Sequence, residues 1–94
     1  MKLTLLVYEF TVPGCQSLKE KRKVVKGLKE SLRSHFNLSI AEVDYQDKWQ
    51  RSTIAIALVA EASHNIENTI SAIDTMINKR LMGNIIRTER NDLL

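Results

Sequence analysis

Seven of the fourteen lysines and arginines of this 94-residue chain fall between Lys19 and Arg33. Wound as a helix at ~100° per residue, the apolar residues of that stretch occupy an arc of roughly 120° centred near Val25 and Leu32. Lys19, Arg22, Lys23, Lys26, Lys29 and Arg33 fill the adjacent arc of similar width, with Glu30 inside it and Glu20 beyond it. The result is a cationic flank about 25 Å long. Such a row can hold the phosphates of a nucleic acid, each neutralised phosphate releasing counterions so that affinity falls steeply with salt. It can also be no more than a solvated helix surface, since the net charge is only +3. The crowding of cations on one flank exceeds what solubility requires.

A second constellation runs from Glu42 through Asp44, Gln46, Asp47, Trp49 and Gln50 to Arg51. Glu42 and Asp44, two apart on a strand, would share one face about 7 Å from each other, a spacing open to acid and base work. Nothing in the sequence completes a reaction centre: His35 and His64 lie at opposite helix boundaries, and no nucleophile or metal-ligand spacing accompanies the acids. Edge-strand carboxylates that pair with Arg51 or Lys48 and discourage wrong strand pairing are the simpler account. Trp49, the single tryptophan, sits in a polar turn between Lys48 and Arg51. It either stacks on a base or anchors the turn against the first helix or a partner chain, and anchoring is the simpler of the two. Cys15, ahead of the first helix, has no partner base and reads as structural. The turn at residues 12–14 lacks the glycine and lysine spacing of a phosphate loop. The expectation is no catalytic group, no metal and no cofactor.

The chain limits what can position these groups. Ninety-four residues suffice for one core without staples, and one cysteine excludes an internal disulfide. The six apolar-leaning residues at 3–8 give way to Glu9 with no small-residue cleavage site, and the longest apolar run, residues 54–60, is far short of the ~20 that span a bilayer. These features point to a single domain at residues 1–94, cytoplasmic and without membrane contact.

Residues 3–12 are rich in β-branched and aromatic types and read as a strand that Pro13 and Gly14 end. Ser17 with Glu20 forms a capping box, and 3.6-residue spacing carries a helix from Leu18 to about His35. Residues 38–46 and 51–60 read as a hairpin. Ser63 or Asn65 caps a second helix along Ile66, Ile70, Ile73 and Ile77, which Gly83 closes as C′ glycine. Residues 84–89 make a short fourth strand. The order βαββαβ, with right-handed crossovers, predicts a ferredoxin-like α+β sandwich: a four-stranded antiparallel sheet, order 4-1-3-2, with two helices on one face. Both central strands are apolar on both faces: Leu3, Leu5 and Val7 oppose Leu6, Tyr8 and Phe10, and Ile54, Ile56 and Leu58 oppose Thr53, Ala55, Ala57 and Val59. Helices cover only one face, so the other is expected to be closed by a second copy, making a homodimer or higher oligomer. The third strand also lacks the stacking aromatics of an RNA-recognition domain of the same topology.

The segment SLKEKRKVVKGLKESLRSHFNLSIAEVDYQDKWQRSTIAIALV, residues 17–59, resembles the YlxP-like family of small bacterial proteins, whose domain is of unknown function. The likeness is close over nearly half the chain, through the SLKEKR helix start and the AEVDYQDKWQR hairpin, and extends elsewhere in element order. The resemblance implies a ferredoxin-like fold in a bacterial cytosolic protein. The family's gene lies in many bacteria near those for translation initiation and ribosome-binding factors, which implies an RNA- or ribosome-linked role. No catalytic activity, cofactor or binding residue comes with it, and residues 84–94 depart from the family's more regular acidic last strand. The function expected is a non-enzymatic RNA-binding or ribosome-associated accessory protein. Lys19, Arg22, Lys23, Lys26, Lys29 and Arg33 would hold phosphates while Trp49 and Arg51 contact a base or rRNA edge. The alternative is a self-associating structural or protein-interaction module with no nucleic-acid role.

Overall fold

The computed structural model describes residues 1–94 and contains β1 (Lys2–Thr11), α1 (Leu18–His35), β2 (Leu38–Asp44), β3 (Arg51–Ala60), α2 (Ile66–Arg80) and β4 (Ile85–Asp92). The strands form one antiparallel sheet in the order β2-β3-β1-β4, so β1 and β3 are central and β2 and β4 are edges. This is the ferredoxin-like sandwich expected from the element order, with both helices on one face.

Each helix begins where a side chain can serve its unpaired amides. The Ser17 hydroxyl accepts from the Glu20 amide at 3.1 Å, and the Glu20 carboxylate accepts from the Gln16 amide at 2.7 Å, one residue earlier than the serine amide expected of a capping box. Asn65, of the two candidates, caps α2 by accepting from the Asn68 amide. At the far end Met82, with φ of 52°, takes the left-handed C′ position expected of glycine, and Gly83 follows it with φ of 76°. The Gly83 amide donates to the Asn78 carbonyl at 3.1 Å and closes the last turn. Neither helix is long and apolar enough to cross a membrane.

The core lies between the sheet and the helices. Leu6, Tyr8 and Phe10 of β1 and Ile54, Ile56 and Leu58 of β3 pack with Ile40 against Val25, Leu28 and Leu32 of α1 and Ile66, Ile73 and Ile77 of α2. Tyr8 carries a polar tip into this core, and its hydroxyl donates to Asp74 on α2 at 3.3 Å. Burial, and then the Asp74 charge, push its phenol well above the ordinary tyrosine range.

On the opposite face Leu5 sits across from Ala57, Val7 from Ala55 and Leu3 from Val59, all half-buried except Val59, which is 59% exposed. No element of the chain covers this face. β4 is longer than its sequence suggested, running eight residues from Ile85 rather than ending at Glu89. Seven of those residues are exposed, so the strand carries no apolar alternation and is held by its backbone ladder to β1, from Thr4–Asp92 to Phe10–Ile85. Side chains reinforce it: the Thr4 hydroxyl donates to Asp92, and Arg90 pairs with Glu67 of α2.

Candidate nucleic-acid interface

α1 buries Lys21, Val25, Leu28 and Leu32, positions i, i+4, i+7 and i+11 of one helical face. Arg22, Lys26, Lys29 and Arg33 each lie one residue later, so they form a parallel row ~100° around the helix. That row faces the outer edge of β2. The four cations, with Val25, Glu30 and Glu42, line an open groove of about 380 Å³ between helix and strand. Lys19, Arg22, Lys23 and Lys29 meet no carboxylate at ion-pair distance. Lys26 makes one exposed pair with Glu30 at 3.9 Å, a contact of small energetic weight. Arg33 donates to the Ile40 carbonyl at 3.0 Å and keeps its other donors. Lys19 and Lys23 are exposed on the same helix outside the groove.

Lys21 separates completely from this row. Its side chain is fully buried, and its ammonium donates to the carbonyls of Tyr45 at 2.5 Å, Gln46 at 3.1 Å and Arg51 at 3.3 Å while pairing with Glu42 at 3.0 Å. Glu42 also accepts from the Ser52 hydroxyl at 2.6 Å. One side chain therefore satisfies the backbone of the β2–β3 turn and fixes it to the start of α1. The sequence holds the signal for this: Lys21 stands four residues before Val25, where the apolar stripe has a gap that the helix must still bury.

The expectation that Glu42 and Asp44 share a face is overturned. A bulge between them places Glu42 opposite Ile54 on the helix side and Asp44 opposite Thr53 on the open side. Nor does either acid pair with Arg51 or Lys48: Glu42 is committed to Lys21, and Asp44 accepts from the Tyr45 amide at 2.8 Å. Arg51, expected at a base, is paired with Glu9 and lies 4.4 Å over the Tyr45 ring. Its guanidinium is thereby oriented, with 45% of the side chain still exposed. Trp49 lies outside the hydrophobic core. It is 53% exposed and borders a groove with Thr11, Tyr45, Lys48, Gln50, Arg51 and Ile86, while the anchoring of the turn falls to Lys21 and to Gln50, which donates to the Cys15 carbonyl at 3.1 Å.

Glu9 is the charged centre of the open face, nearly buried beneath Arg51 and Arg87. Hydrogen bonds from Arg51, and then from Arg87, outweigh partial desolvation and hold its carboxyl below the ordinary glutamate range. A depressed folded-state value makes the stabilisation present above the unfolded value of about 4.3 and lost as pH falls through the folded one. Glu9→Gln should lower the urea midpoint at pH 7, and its gap from the parent should narrow as pH falls from 5 to 2.5. A gap that stays constant across that range would contradict the linkage. Beside Glu9, the buried Thr53 hydroxyl has no hydrogen-bond partner.

Sequence separation hid one further juxtaposition. His35 and His64, at the end of α1 and ahead of α2, line the same cleft of about 400 Å³ together with Phe36, Leu58, Glu61 and Ile66. His64 bonds the Thr69 hydroxyl and His35 the Ser31 carbonyl, each at 2.8 Å. No group of three or more His, Cys, Asp or Glu side chains is arranged to hold a metal ion.

A four-stranded antiparallel sheet backed by two helices, with a cationic groove along one sheet edge, defines a small ferredoxin-like α+β protein. The profile of the family described as "Protein of unknown function (DUF503)" matches residues 3–90, and the chain belongs to that family. It is similar to YlxP of Bacillus subtilis strain 168, described as an uncharacterized protein, at 37% identity over 75 residues, 78% of this chain and 82% of the relative. Among solved structures it resembles At3g17210 from Arabidopsis thaliana, with a TM-score of 0.54 at 9% identity over 98% of this chain and 93% of that one. It also resembles a Bordetella bronchiseptica protein whose name proposes an antibiotic biosynthesis monooxygenase, with a TM-score of 0.53 at 11% identity over 100% and 99% of the two chains. At such identities the two structures show the shared fold alone.

Proposed function

We propose that this chain is a non-enzymatic RNA-binding or ribosome-associated accessory protein that holds phosphates along α1. The observation that carries the reading is the groove at the β2 edge, where Arg22, Lys26, Lys29 and Arg33 converge and the carboxylate of Glu42 is already spent on buried Lys21. Glu30 is then the one acid left to oppose four cations. Four neutralised phosphates give a salt slope of about −2.8 for single strands and −3.6 for duplexes. Raising salt from 50 to 200 mM should therefore weaken binding of a structured RNA by roughly 50- to 150-fold, read by fluorescence anisotropy. No binding at 50 mM would overturn the reading.

A second reading, self-association through the open sheet face, is favoured by one specific feature. The apolar strip of Leu3, Leu5, Val7, Ala55, Ala57 and Val59 lacks any cover within the chain, and Glu9, Arg51, Arg87 and Glu89 neutralise one another at its end. Two copies meeting face to face would thus oppose no unpaired like charges from this group. Sedimentation equilibrium at low micromolar concentration should give a dimer mass, and Val7→Arg a monomer. A parent that is monomeric at 100 micromolar would remove this reading.

A further inference from the structure

We propose that the groove beside the β2–β3 turn takes one unpaired nucleobase, stacked on Trp49, so that the RNA partner carries a single-stranded or bulged nucleotide in addition to the phosphates held by α1. The inference rests on the RNA reading above and adds to it the form of RNA bound. It starts from an indole in the wrong place for a core: Trp49 is 53% exposed, although tryptophan is on average highly buried. The exposure does not come from a loose turn. Lys21 holds the carbonyls of Tyr45, Gln46 and Arg51, the Lys48 amide donates to the Tyr45 carbonyl at 3.0 Å, and the Val12 amide donates to the Gln50 carbonyl at 2.9 Å. Backbone on both sides of the indole is fixed before any ligand arrives.

The rest of the groove suits a base. Its volume is about 430 Å³, room for a nucleotide and not for a duplex. Arg51, lying over Tyr45 and tied to Glu9, offers a second oriented planar surface, of the kind on which bases stack. Ile86 supplies an apolar wall. The Gln50 side chain spends its amide nitrogen on the Cys15 carbonyl, which leaves its amide oxygen to accept from an exocyclic amine, and the Thr11 hydroxyl can donate or accept. Lys48, which meets no carboxylate at ion-pair distance, matches the charge of the attached phosphate. This groove and the cationic row share no lining residue, and Lys21 relates them only by fixing the turn to the start of α1, so an RNA that fills both must reach from the helix side round to the turn.

Trp49 is the only tryptophan, so its emission reports this groove without a label. The experiment titrates the full-length protein at 50 mM salt with two RNA hairpins of equal length, one fully paired along its stem and one with a two-nucleotide bulge, and with a ten-nucleotide single strand. The bulged hairpin and the single strand should quench Trp49 and bind about tenfold more tightly than Trp49→Ala binds them, one stacked base being worth on that order. Trp49→Phe should keep most of the difference, and circular dichroism checks that both variants fold. The salt slope should be the same in parent and variants. If paired and unpaired RNAs bind equally, with unchanged emission and an intact salt slope, the base site is overturned while the phosphate reading stands. If no RNA binds at all, both fall.

Discussion

Lys21→Met should cost about 3–5 kcal/mol of folding stability, the loss typical of removing one partner from a buried ion pair. The methionine fills the space of the aliphatic stem but leaves Glu42 charged against the core and three turn carbonyls without their donor. For a domain of this size the whole stability is about 5–14 kcal/mol, so the variant should unfold at a much lower urea concentration. Adding Glu42→Gln removes the stranded charge and should restore part of the loss, the carbonyls accounting for the remainder. Hydrogen exchange should then show the amides at 45–51 opening first. A loss under about 1 kcal/mol for Lys21→Met would mean that water replaces the ammonium and that the turn does not depend on it.

The largest effect on binding is expected from Arg22→Glu, Lys26→Glu and Lys29→Glu made together. A phosphate about 6 Å from one of these charges gains roughly 0.7 kcal/mol in water, and reversal costs about twice that. Three reversals sum to about 4 kcal/mol before screening, which ionic strength trims to a loss on the order of 100-fold at 50 mM salt. The salt slope should fall from about three toward one, since Arg33 alone remains in the groove. Arg22 and Lys26 are exposed on α1, Lys29 is half-buried and none of the three belongs to the core, so the helix should stay folded. Lys79→Glu with Arg80→Glu, exposed at the end of α2, serves as the control for net charge and should change affinity only a few-fold. Equal losses in both sets would show a diffuse field rather than a groove.

The two α1 surfaces were legible in different degrees. The cationic row follows from helical angle alone, because Arg22, Lys26, Lys29 and Arg33 keep the same spacing as the buried stripe beside them. Which cations stay free does not follow from angle. Arg33 finds a carbonyl on β2, Lys21 disappears into a network reaching 30 residues ahead, and Arg51 is drawn to Glu9 across 42 positions. Each of these depends on strand order and register, which are set by the packing of β1 and β3 and not by neighbours in sequence. The β2 bulge is of the same kind: one extra residue turned Asp44 to the opposite face and removed the carboxylate pair that alternation promised. β4 escaped a full reading because its side chains are nearly all wet, and a strand stabilised by its backbone ladder and ion pairs leaves little hydrophobic pattern to see.

The placement of Arg33 has an outcome for how copies of this protein can grow into larger assemblies. A bare outer strand is a template on which the next molecule can extend a ribbon, the first step toward fibrils. Here the Ile40 carbonyl is occupied, and the neighbouring ridge of lysines and arginines would confront its own duplicate on a chain that approached by the same edge. Extension of the sheet by pairing β2 with β2 of a second copy is thereby disfavoured.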